Sequence, residues 1–191
     1  MPKSQEAKAL TKENILHAAG RGFRTGGYGG IGVDGISKAA GVTSGAFYAH
    51  YGSKANAFEQ ALIYGLQCVR KEVETQQARH GAQWPAHFID YYFTDQLNVD
   101  LSEACALPSL SADVARASEK TKIAYESELR KIAKTMAVEL PGRNMDEKSS
   151  KAWALLSILI GGSSMVRAVN CKKMIADIIR SSKAQALAIV G

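Results

Sequence analysis

Residues 33–51, VDGISKAAGVTSGAFYAHY, divide at Gly41 into two short runs with helical periodicity. Val33, Ile36, Ala39 and Ala40 recur at the spacing of one helix face, and Gly41 supplies the residue that ends such a helix. Thr43 or Ser44 can cap a second helix that carries Ala46, Phe47, Tyr48 and Tyr51. Two helices of this length joined by a glycine turn have the pattern of a helix-turn-helix. In that motif the second helix lies in the major groove of DNA, with its amino end against base edges. Ser44, Gly45 and Ala46 are small enough to let the backbone approach. Ser44 can exchange hydrogen bonds with bases or phosphates, and the Ala46 methyl can touch a thymine methyl. Tyr48, His50 and Lys54 carry polar tips that reach phosphates on either side, and Lys12, Lys38 and Thr43 complete the expected set of DNA contacts. Phe47 and Tyr51 are expected to face inward, packing on Ile15, Phe23 and Ile36 to fix the angle of the helix.

The flanking sequence is helical too, with no sustained alternation of period two, so the expected fold class is all-α. Thr11 can cap a first helix bearing Ile15, Ala18, Ala19 and Phe23, which Gly26 and Gly27 end, and GGYGGIG then reads as a flexible connector. Gly52 ends the motif and Ser53 caps a long helix from Lys54 to about Arg79. Pro85 suits the first turn of a fifth helix reaching about Leu97. A kinked stretch containing Pro108 precedes a helix from about Ser111 to Val138. Beyond the loop PGRN, Asp146 or a neighbour opens an apolar helix, and a last helix covers about Lys172 to Ala188. The expected division is residues 1–53 as a DNA-binding domain and 54–191 as a helical effector-binding and dimerisation domain.

The chain of 191 residues carries a net charge of +6, concentrated at its amino end. Up to Lys54, seven basic residues face three acidic ones, a balance suited to a polyanion or to an ordinary solvated surface. No apolar run spans a bilayer and MPKSQEAKALTKEN lacks an apolar signal core, so no membrane partner is expected and the cytosol is the expected location. Cys68, Cys105 and Cys171 are far apart and lack ligand spacing, which supports neither a disulfide framework nor a metal. GYGGIG, residues 27–32, satisfies GxGxxG literally. A helix precedes it, however, and no acid stands between Asp34 and Glu59, so a dinucleotide site is rejected. No cofactor is expected, and no Ser/His/Asp or paired-carboxylate set supports an enzyme.

From Thr11 to Phe58 the order ILHAAGRGF, a glycine–tyrosine link, VDGISKAAGVTSGAFYAHYGSK and a further helix closely resembles the DNA-binding domain of TetR-family transcriptional regulators. The matched positions include Ile36, Gly41, Val42, Gly45, Tyr48, Tyr51 and Lys54. One position departs: the family often places Ser or Thr just ahead of the second helix, and here Gly32 removes that side-chain contact to phosphate. The resemblance implies an all-helical homodimer whose first three helices bind a half-site of a palindromic DNA operator. It also implies a small-molecule pocket among the middle helices and a four-helix dimer interface built by the last two. Repression with release by the effector is the usual function it implies; a sequence-tolerant DNA-binding protein without an effector is the alternative.

Within that architecture Trp84, Phe88, Tyr91 and Tyr92 share one helix face, with His87 beside them, and can line an inducer cavity or pack the core. Cys105, in CALPSL, resembles a cysteine element of several TetR-family members, in some of which it senses oxidants or electrophiles, or is a packing residue. The helix around 148–166 is apolar on too many sides to face water, so Trp153, Leu156, Ile160 and Gly161, with Met174 and Ile178 of the last helix, are the expected dimer contacts, burial within a monomer core being the alternative. Two heads joined that way would span successive major grooves about 34 Å apart, or wider, on a palindromic site.

Overall fold

The computed structural model describes residues 2–191, with the side chains of Gln5 onward, and among them every regular element is helical. Ten α-helices succeed one another: α1 (Pro2–Gly30), α2 (Val33–Ala40), α3 (Ser44–Tyr51), α4 (Lys54–His80), α5 (Trp84–Phe93), α6 (Asp95–Asn98), α7 (Ala106–Ala115), α8 (Glu119–Glu139), α9 (Met145–Ala168) and α10 (Lys172–Val190). Single 3-10 turns at Gly81–Gln83 and Leu101–Glu103 precede α5 and α7. No described helix is long and apolar enough to cross a membrane.

Two compact units divide the chain, and the first is larger than residues 1–53. It takes everything up to Gly65 together with Asp100–Tyr125. The added segment is tied in by polar contacts that no local pattern shows. Arg24 donates to the Ser102 carbonyl at 2.6 Å, the Tyr28 amide donates to Asp113 at 3.1 Å, and Lys120 pairs with the buried Glu59 at 2.8 Å. Close packing accompanies them: a methyl on Gly65 would stand 2.6 Å from Cβ of Ala106.

Helix α1 starts well before Thr11, because Gln5–Leu10 are good helix formers and the Thr11 hydroxyl donates back to the Ala7 carbonyl at 2.8 Å. Thr11 is therefore an interior residue and not a cap. Gly27, at φ 70°, breaks the helix as expected, but the stretch after it is no loose connector. Tyr28 stacks on Phe23 at 6.1 Å and sets its edge against Phe58 at 5.2 Å. Later in the unit, Pro108 is the third residue of α7, where a missing N–H costs nothing. The expected single helix over 111–138 is two helices, because Ser118 accepts the Thr121 amide at 3.3 Å and caps α8 anew.

The second unit comprises Leu66–Val99 and Glu126–Gly191. Trp84, Phe88, Ile89, Tyr92 and Phe93 of α5 are buried with Leu155, Leu156 and Leu159 of α9, and with Ile132 and Met136 of α8. The Trp84 indole donates to the Glu139 carbonyl at 3.4 Å. Asn144 caps α9 by accepting the Glu147 amide at 2.9 Å. The Glu147 carboxylate accepts from the amide and guanidinium of Arg143, both at 3.0 Å, which hold it below the usual carboxylate range.

Candidate nucleic-acid interface

The turn between α2 and α3 forms as its residues require. Gly41 adopts φ 68°, and the Gly41 and Val42 amides close α2 by donating to the Lys38 and Ser37 carbonyls at 3.2 and 3.0 Å. Thr43 is extended and its hydroxyl accepts the Ala46 amide at 3.2 Å, so Thr43 is the cap of α3. Gly52, at φ 70°, stops the helix, and Ser53 caps α4 by accepting the Asn56 amide at 3.1 Å. Gly32 precedes α2 with no side-chain cap.

Behind α3, Phe47 is wholly buried and Tyr51 nearly so, their rings stacked at 5.8 Å, in one core with Ile15, Phe23 and Ile36. The Tyr51 hydroxyl donates to the Lys12 carbonyl at 2.8 Å, and burial pushes its pKa up to about 12, so the phenol remains a donor that ties α3 to α1. In front, Gly45 is open and Tyr48 is 53% exposed, while Ala46 and His50 are half-buried. Lys12 and Lys38 are exposed. Lys54 is half-buried, with Nζ 4.7 Å above the Tyr28 ring, so its ammonium also steadies the aromatic cluster after α1.

Ser44 is engaged: its hydroxyl donates to Asp34 Oδ1 of α2 at 2.6 Å. Sequence reading misses the pairing of Ser44 with Asp34, because ten positions separate the two and only the docking of α2 on α3 joins them. Tyr28 is missed for a similar reason, since its partners Phe58 and Asp113 are far along the chain.

The residues expected to line an effector site differ in their surroundings. Trp84, Phe88 and Tyr92 are buried core of the second unit, whereas His87 and Tyr91 line a cavity of about 370 Å³ in that unit with Glu72, Gln76, Arg79, His80 and Asp90. Cys105 belongs to the first unit, half-buried at the residue before α7. A second cavity, of about 600 Å³, lies wholly in the first unit among Tyr28, Phe58, Asp113, Arg116 and Thr121. In the smaller cavity the His80 and His87 rings stack at 3.7 Å. Desolvation, then His87, then Arg79 place the His80 pKa below the ordinary 6.5. Because the native state holds that proton less readily than the unfolded chain, His80 imposes no penalty above 6.5 and a growing one as pH falls from there to the lowered value. His87→Ala is expected to raise the His80 pKa in an NMR titration of the ring protons; an unchanged value contradicts the coupling of the stack.

Of the expected dimer contacts, Trp153 is 41% and Met174 50% exposed, and Ile160, Gly161 and Ile178 are half-buried. Leu156 is buried inside the unit and offers no surface to a partner. Met165 and Leu187 are exposed as well.

Residues 15–61 match the model of the family described as bacterial regulatory proteins, tetR family. No curated protein sequence matches significantly. Solved structures match along the chain: NemR of E. coli in its reduced form aligns with a TM-score of 0.78 at 17% identity, covering 95% of this chain and 97% of that one. A TetR-family transcriptional regulator from Agrobacterium tumefaciens gives 0.76 at 14% identity, covering 93% and 98%. FadR of Bacillus subtilis, solved with stearoyl-CoA, gives 0.71 at 14% identity, covering 94% and 97%. At such identities the likeness is one of fold, and it joins the sequence match over the helix-turn-helix. Residues 15–61 are thus similar to the amino-terminal domain of the tetR family of bacterial regulatory proteins, and the chain shares the fold of the solved TetR-family structures.

Proposed function

We propose that the protein is a homodimeric repressor that holds a palindromic operator through α3 and releases it when a small molecule or a reactive electrophile acts on it. The observation that carries this reading is the front of α3: Gly45 and Tyr48 stand open beside half-buried Ser44 and Ala46, braced from behind by buried Phe47 and Tyr51. Ser44, Gly45 and Ala46 read bases; Lys12, Lys38, Thr43, Tyr48, His50 and Lys54 position the head on the backbone. The exposed Trp153, Met165, Met174 and Leu187 support a partner protomer over α9 and α10, since a monomer gains nothing by wetting them. His87 and Tyr91 offer the polar handles of an effector site, and the FadR complex with stearoyl-CoA supports a small-molecule effector for this fold. Cys105 is the residue on which an electrophile would act.

A mobility-shift competition between DNA adjoining the protein's own gene and a random duplex, at one salt concentration, tests the reading. Specific binding at least about a thousandfold tighter is expected. Comparable affinities would favour the sequence-tolerant alternative. Tyr48→Phe and Lys54→Ala are expected to weaken binding to every duplex, and the lysine variant to lower the salt slope by about one. Undiminished binding by both variants refutes the docking of α3.

A further inference from the structure

The Ser44 hydroxyl has one proton and two lone pairs, and a carboxylate oxygen only accepts. With its proton held by Asp34 at 2.6 Å, Ser44 has lone pairs alone to offer a third group. Its neighbour is set the opposite way. The Thr43 hydroxyl accepts the Ala46 amide and keeps its proton for an outside acceptor such as a phosphate. The first turn of α3 therefore presents two hydroxyls of opposite polarity.

In the major groove, adenine N6 and cytosine N4 are donors, whereas thymine O4, guanine O6 and the N7 of either purine are acceptors, so only adenine and cytosine can donate to a hydroxyl. We propose that Asp34 is a specificity-determining residue that acts through Ser44: by holding the proton, it makes Ser44 an acceptor that selects a base with an exocyclic amino group, adenine or cytosine, at one position in each half-site. The inference rests on the docking of α3 in the groove. The commitment of the proton survives there because a hydrogen bond to a charged acceptor is about twice as strong as one between neutral groups, so a thymine or guanine carbonyl does not win it. Asp34 lies in the first turn of α2, where the helix dipole favours its negative charge close to DNA.

Selection from a randomised duplex library by the full-length protein tests this. Ser44→Ala identifies the position, because preference is lost there alone. At that position the wild type is expected to favour adenine or cytosine by about tenfold, the size of one lost hydrogen bond. Asp34→Ala lets the hydroxyl turn and donate, and is expected to reduce the ratio to about twofold. Asp34→Asn keeps an acceptor oxygen but removes the charge that holds the proton, and is expected to give a ratio between those of the wild type and Asp34→Ala. Guanine or thymine at the Ser44 position in the wild type overturns the proposal, as does an unaltered ratio in Asp34→Ala. Should Asp34→Ala not fold, the wild type against Ser44→Ala decides alone. Wild-type protein that enriches no sequence refutes the groove docking and this inference with it; an enriched site indifferent to Ser44→Ala refutes this inference only.

Discussion

Phe47→Ala is expected to lower the free energy of unfolding by about 3–5 kcal/mol and to abolish DNA binding with it. The ring is wholly buried, stacked on Tyr51 at 5.8 Å and edge-on to Tyr48 at 5.6 Å. Truncation removes apolar area and leaves a void that backbone cannot fill, since α3 is held at its ends by the Thr43 cap and the Tyr51 bond to Lys12. A loss of that size is a large share of the roughly 5–15 kcal/mol available to a natural protein. Tyr48 is the control one residue on. It is 53% exposed, so Tyr48→Ala is expected to change stability by only about 0.5 kcal/mol while still weakening DNA binding. Denaturant unfolding monitored by circular dichroism, beside mobility shifts on one duplex, separates the two effects. Equal stability loss in both variants would mean that Phe47 is not the brace of the recognition helix.

The helix-turn-helix is legible because its determinants are local. A left-handed glycine and a hydroxyl cap act within four residues and helical spacing marks the inward face, and Gly41, Thr43 and Phe47 sit where those rules put them. The extent of the first unit is not legible, because it rests on pairs such as Arg24 with Ser102 and Lys120 with Glu59, which are far apart in sequence and show no periodicity. The start of α1 is misread for a different reason: Thr11 can cap a helix or bond back within one, and only the six residues before it settle which. On α5, helical spacing correctly groups Trp84, Phe88 and Tyr92, but a stripe facing a core and a stripe facing a ligand have the same period. What distinguishes His87 and Tyr91 is the cavity they border, a tertiary property.

The small residues of α9 make the same point with opposite consequences at adjacent positions. A Cβ on Gly162 would meet Ser182 Oγ at 2.8 Å and two ring atoms of Phe93 at 2.9 Å, and Phe93 is buried and cannot yield. Gly162→Leu is therefore expected to destabilise the protomer by about 3 kcal/mol through overpacking. A Cβ on Gly161 meets nothing within 4 Å. In the protomer alone, leucine there replaces the weakest helix former short of proline and is expected to add about 0.8 kcal/mol of helix stability. In the proposed dimer the same side chain would stand where a partner helix approaches, and the dissociation constant is expected to rise at least about tenfold, or about 1.4 kcal/mol. Thermal unfolding at low protein concentration and sedimentation equilibrium read the two effects separately. Gly161→Leu that dimerises as tightly as the wild type places the partner on another face of α9 and α10, whereas Gly162→Leu tests the protomer's packing whatever the partner does.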